Sequence, residues 1–97
     1  YRTLDGRHLA VGALELKFWQ TFCAAIGQTD WAAQHWSLNH HSPGDMHAQA
    51  LIEAVAKHIA AQTLAHWASL FEQFDACTTP VLRMDEALQL HLVLFLI

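Results

Sequence analysis

The chain has 97 residues, 54% of them hydrophobic and 14% charged, and a formal charge of −4. That length suits one domain with a modest core. Five Lys plus Arg against nine Asp plus Glu leave no obvious footprint for nucleic acid. Charge lies well below the roughly 25% of an ordinary solvated domain, and tryptophan is abundant, at Trp19, Trp31, Trp36 and Trp67. Two readings stand: a core rich in aromatics, or a surface that another domain or subunit normally covers.

Tyr1 to Leu4 and His8 to Leu14 flank Asp5-Gly6, a pair that favours a hairpin turn because Gly tolerates positive φ and Asp bonds locally. Leu9, Val11 and Ala13 share one face of the second strand by period 2. Gly12 leaves bare backbone where something approaches closely. Glu15 opens a helix to about Ile26, with Trp19, Phe22, Cys23 and Ile26 as its apolar stripe and Gly27 as its C-terminal cap. Thr29 or Asp30 is expected to cap a short helix through Trp31 and Trp36, and Ser37 to Asp45 reads as a loop.

Asp45 is expected to cap a long helix to about Gln62, with Ala50, Leu51, Ala54, Val55, His58 and Ile59 on its buried face. Thr63 caps a further helix whose inner face is Leu64, Trp67, Leu70, Phe71 and Phe74. Ala76 to Leu82 reads as a short strand interrupted by Pro80, hence an edge strand or its neighbour. Asp85 and Glu86 open a last short helix, and Leu90 to Ile97 fits helix or strand equally. The pattern predicts an α+β domain, a small antiparallel sheet with three to four packed helices, over residues 1–97. Residues 89–97 form an atypical apolar tail, and both ends read as cut rather than finished. No signal peptide is expected, because Arg2, Asp5 and Arg7 interrupt the first apolar run. The tail falls far short of the roughly 20 residues of a membrane span.

Among the eight histidines, only His40, His41 and His47 cluster, with neither HExxH nor CxxC beside them, so no metal site is expected. Cys23 and Cys77 read as small buried hydrophobes of a reducing, cytoplasmic setting, without a disulfide. No nucleophile elbow and no Gly-rich phosphate loop is present. Glu15 follows an apolar strand and precedes an apolar helix. It is either a simple cap or first-turn acid favoured by free N–H groups or a rigidly held carboxylate that orients a histidine of another domain.

The motifs YRTxDG (Tyr1 to Gly6), AVGALExKFW (Ala10 to Trp19), Gln34-His35, TxxxW (Thr63 to Trp67) and DACTTPVL (Asp75 to Leu82) occur in order. In these the chain resembles the small domain of the family III CoA-transferases, most of all their α-methylacyl-CoA racemase branch. The resemblance covers nearly the whole chain up to about Leu88. It implies a larger two-domain parent that forms interlocked homodimers, with the active site between the large domain of one subunit and the small domain of the other.

Such racemases remove the α-proton of a 2-methylacyl-CoA thioester and return it on either face, with no metal or cofactor and with the CoA thioester as substrate. Their catalytic His and Asp belong to the large domain, outside this chain. Transferase relatives move CoA between carboxylic acids through a large-domain Asp. A non-catalytic assembly or binding domain is a third class. By this resemblance Glu15 matches the family's small-domain glutamate near the catalytic histidine, while Gly12 and Ala13 match the stretch lining the substrate cleft. The partners implied are acyl-CoA and the large domain of the same protein, and the isolated chain is expected to be inactive. Leu16 replaces the usual Pro after the glutamate, and QLHLVLFLI (Gln89 to Ile97) replaces the usual HPH segment.

Overall fold

In a computed structural model the described residues are 1–35, 38 and 46–89. Strand β1 (Leu9–Val11) leads to helix α1 (Leu16–Ala25), then to a 3₁₀ helix (Thr29–Gln34), helix α2 (Met46–Ile59), helix α3 (Leu64–Phe71) and strand β2 (Thr78–Pro80). Residues 84–89 are helical. The architecture is α+β, as the hydrophobic periods predict.

The first hairpin forms around Asp5-Gly6. The Gly6 N–H donates to the Thr3 carbonyl (3.1 Å), the Thr3 N–H to the Arg7 carbonyl (2.9 Å) and the Leu9 N–H to the Tyr1 carbonyl (2.8 Å). Gly6 adopts φ +74°, the left-handed region glycine enters without steric cost. The leading arm is shorter than the expected strand and has only an antiparallel bridge, Arg2 to His8.

On its other edge β1 pairs antiparallel with β2, Leu9 opposite Pro80 and Val11 opposite Thr78. This register explains how a proline fits. The N–H and C=O of Leu9 point towards Tyr1 (2.8 Å each). Its partner in β2 therefore owes β1 no N–H, and Pro80 forfeits no ladder bond. The strand is shorter than Ala76 to Leu82 because Cys77 bends out of the ladder at φ +49°.

Helix α1 ends in a complete Schellman motif. Gly27, at φ +75°, donates to Ala24 (3.2 Å) and Gln28 donates to Cys23 (2.9 Å). Its stripe of Trp19, Phe22, Cys23 and Ile26 is buried throughout. Phe22 stacks between Trp19 (5.5 Å) and Phe71 (5.7 Å), joining α1 to α3. From α2 come Val55 and Ile59, from α3 Leu64, Trp67 and Phe71, and from β1 Leu9. The two core indoles find acceptors: Trp19 Nε1 donates to Trp31 O (2.9 Å) and Trp67 Nε1 to Ile59 O (2.8 Å).

Several expectations are corrected in detail. The segment after Gln28 is a 3₁₀ helix that neither Thr29 nor Asp30 caps; its N-cap is Gln28. Helix α2 stops at Ile59, and Ala50 is exposed on it. Phe74 lies beyond α3, which ends at Phe71, and is 37% exposed rather than on a buried inner face. Thr63 caps α3 as expected, its Oγ1 accepting the His66 N–H (3.2 Å). The capping role assigned to Asp45, and Trp36, lie outside the described residues.

Candidate functional site: the Gly12–Glu15 loop

The sheet and α1 meet at residues 12–15, the only link between β1 and α1. Each residue there has a distinct environment. Gly12 is exposed and donates its N–H to the Cys77 carbonyl (2.8 Å). A Cβ at Gly12 would stand 3.1 Å from that same oxygen. The close approach foreseen at this glycine is therefore the backbone leading into β2. Ala13 points the other way and joins the core at 8% exposure. Leu14 is 78% exposed. The two positions that the resemblance matches to a cleft thus separate: Gly12 presents open backbone, while the Ala13 methyl belongs to the interior.

Glu15 is the N-cap residue of α1, with extended backbone (φ −78°, ψ 146°) and no side-chain cap hydrogen bond. Its main-chain carbonyl receives the N–H groups of Phe18 (3.1 Å) and Trp19 (3.0 Å). The carboxylate makes no cap hydrogen bond and is 70% exposed, with the Lys17 ammonium 3.9 Å away. The backbone of Glu15 is thus fixed by the helix while its carboxylate serves no capping function. An exposed carboxylate on a fixed Cα can accept a hydrogen bond from an incoming imidazole or hydroxyl. Alone it provides neither a partner acid nor donors for a developing enolate oxygen, which proton transfer at a thioester α-carbon needs.

Two features near this loop are given no site role by the sequence. His35, which follows the 3₁₀ helix, is buried at 6% exposure, and its Nε2 lies 2.8 Å from the Leu14 carbonyl. Gln34-His35 is a motif of the family resemblance, and the structure places the ring in the interior at the end of the 3₁₀ helix. The second feature is Cys77, which is exposed and precedes the strand, correcting its assignment as a buried strand residue. Cys23 is buried as expected, and burial pushes its thiol up to about 11.

The opposite end of the hairpin is tied down by charge. Asp5 Oδ1 accepts the Thr3 hydroxyl and the Leu64 N–H (3.1 Å), so the turn also receives the first N–H of α3. The Thr3 hydroxyl is the main cause that holds the Asp5 carboxyl below its ordinary range. Glu86 accepts the Arg83 N–H (2.8 Å) and pairs with the Arg7 guanidinium, binding the helical turn at 84–89 to the hairpin. Its carboxyl is lowered first by the Arg83 N–H and then by Arg7. Of the three clustered histidines, His40 and His41 lie outside the described residues. Among the described residues no three His, Cys, Asp or Glu side chains converge as metal ligands.

The family model for CoA-transferase family III matches residues 1–95. The chain belongs to this family. The match continues past Leu88 into the segment read as an atypical tail. Human (Homo sapiens) α-methylacyl-CoA racemase is 32% identical over 87 residues, 89% of this chain and 21% of the relative. The mouse (Mus musculus) α-methylacyl-CoA racemase is 33% identical over 91 residues, 91% of this chain and 22% of the relative. The chain therefore spans about a fifth of the length of these relatives. Among the described residues, no helix is long and apolar enough to cross a membrane.

Proposed function

We propose that this chain is the small domain of an acyl-CoA racemase or epimerase, acting at the α-carbon of 2-methylacyl-CoA thioesters by abstraction and return of a proton. The observation that carries the reading is the identity to two α-methylacyl-CoA racemases across nine-tenths of the chain. The uncapped, exposed carboxylate of Glu15 supports it, because a carboxylate spared from capping is available to a group outside the chain.

In this reading the CoA thioester is substrate and no cofactor takes part. A large domain of the same protein supplies the base and acid, and Glu15 accepts a hydrogen bond from its histidine. The face bearing Gly12 borders the substrate, and two such proteins pair as a dimer. The two free cysteines suit a reducing, cytoplasmic setting. The 97 residues alone are inert, since Glu15 lacks both partner acid and oxyanion donors.

The family model itself favours a second reading, a transferase moving CoA between two carboxylic acids. A single-enantiomer 2-methylacyl-CoA, incubated with the complete protein, separates the two. Epimerisation with no acceptor acid, accompanied by deuterium uptake at the α-carbon, is the expected result. Strict dependence on a second acid establishes the transferase, and neither reaction leaves an assembly domain. The isolated chain should exchange the α-proton no faster than buffer.

A further inference from the structure

We infer that His35 is a positioning residue for Glu15, acting through the Leu14 carbonyl; the inference rests on the reading of Glu15 as a carboxylate of the acyl-CoA site. A carbonyl oxygen only accepts, so the 2.8 Å contact requires a proton on His35 Nε2. The acceptor belongs to the peptide that joins Leu14 to Glu15 and sets the direction from which the chain reaches the Glu15 Cα. The other side of Glu15 is held by α1, whose Phe18 and Trp19 N–H groups bind the Glu15 carbonyl (3.1 and 3.0 Å). Glu15 is thus clamped on both sides while its carboxylate stays exposed.

The clamp has a rigid base. The 3₁₀ helix that leads to His35 is attached to α1 by the indole N–H of Trp19, which donates to the Trp31 carbonyl (2.9 Å). Two hydrogen bonds thus connect this segment to the start of α1, one on each side of Glu15 in sequence. His35 is one of three buried polar residues among those described, the others being Thr3 and Thr78. Burying an imidazole on a helix flank costs desolvation unless it is bonded. Its Nε2 bonds to the loop that carries the candidate carboxylate.

The test uses the complete protein, with epimerisation of 2-methylacyl-CoA, deuterium uptake and thermal unfolding measured on each variant. His35→Phe keeps a ring but removes the donor. His35→Asn removes the reach without enlarging the side chain, so a packing failure of the Phe variant does not end the test. His35→Gln places an amide N–H near the position of Nε2 and is the rescue. Displacing a catalytic group by about an ångström costs up to about a hundredfold. We therefore expect His35→Phe and His35→Asn to lower kcat at least about tenfold with KM nearly unchanged.

His35→Gln should recover most of that loss. The acidic limb of the pH profile should move down in the disrupting variants, as it does in Glu15→Gln, because a weakened carboxylate contact favours the neutral catalytic imidazole. In a Glu15→Gln background the same His35 changes should add nothing. A lowered turnover in Glu15→Gln beside wild-type turnover in both disrupting variants overturns the inference and leaves the reading of Glu15 standing. So does a loss that His35→Gln fails to rescue, or one that persists in full on top of Glu15→Gln. A silent Glu15→Gln overturns the reading of Glu15, and the positioning role with it.

Discussion

Two helices of this chain begin differently, and the difference predicts opposite responses to mutation. At α3, Thr63 Oγ1 accepts the His66 N–H at 3.2 Å. At α1, Glu15 occupies the N-cap position without a side-chain cap bond. Removing a capping hydroxyl costs about 1 kcal/mol, within a range of about 0.5–2. For a domain near 100 residues each kcal/mol lowers the melting temperature by about 4–8 °C. Thr63→Ala should therefore melt about 4–8 °C below the wild type. Glu15→Gln removes no cap bond. It removes a 3.9 Å contact with Lys17 between groups 70% and 71% exposed, and exposed pairs of this kind contribute about 0–1 kcal/mol. It also removes a charge at a helix N-terminus, an effect that salt screens. At physiological salt the variant should stay within about 0.5 kcal/mol of wild type. Thermal and urea unfolding followed by tryptophan fluorescence measure both variants. A Glu15→Gln loss as large as that of Thr63→Ala would show that the carboxylate serves the helix, and the case for its availability to another domain would fail.

Three further outcomes follow from the packing and the charges. Phe22→Ala empties the centre of the Trp19–Phe22–Phe71 stack and should cost about 3–5 kcal/mol, whereas Phe74→Ala, at a residue 37% exposed, should cost far less; similar urea midpoints for the two would refute the core assignment. An alkylating reagent should label Cys77 in the folded protein and Cys23 only on unfolding, because one thiol is exposed and the other is buried with its pKa pushed up to about 11; mass spectrometry of the labelled peptides reads this directly. Asp5 and Glu86 both have folded-state pKa values below their unfolded ones. The unfolded chain then binds the additional protons, so the stability these groups contribute is complete above about pH 4–5 and is lost as pH falls through the depressed values. Urea midpoints should drop across that acid window, and Asp5→Asn with Glu86→Gln should flatten the slope.

The parts of the fold that sequence reveals are those where one local rule acts alone. The α1 stripe of Trp19, Phe22, Cys23 and Ile26 is buried in full, and Gly27 closes the helix in the geometry its position implies. Asp5-Gly6 makes its turn, and Thr63 makes its cap. Errors gather where two rules compete. Thr29 and Asp30 are good capping residues, yet the chain leaves the Schellman motif in a direction that yields a 3₁₀ helix with Gln28 at its cap. Cys77 has strand neighbours, but its backbone turns to φ +49° so that its carbonyl meets Gly12, and this turn brings the thiol to the surface. No period or propensity encodes such a backbone contact between residues 12 and 77.

The candidate site follows the same division. Glu15 is legible because a lone acid between an apolar strand and an apolar stripe is conspicuous, but sequence cannot separate a capping carboxylate from a free one. The structure separates them by hydrogen bonding: the Glu15 carbonyl accepts the first helical N–H groups, and the carboxylate makes no cap bond. His35 was illegible for a different reason. Its partner is a main-chain carbonyl, and every residue has one, so no residue type at position 14 could have announced the contact. A carboxylate can be held in place by groups that never touch it. Here the indole of Trp19 and the ring of His35 both bond to carbonyls, and between them they fix the loop that leads into α1. Such an arrangement leaves the carboxylate exposed, with only the solvent-exposed Lys17 ammonium beside it at 3.9 Å, the condition under which a histidine of another domain could use it.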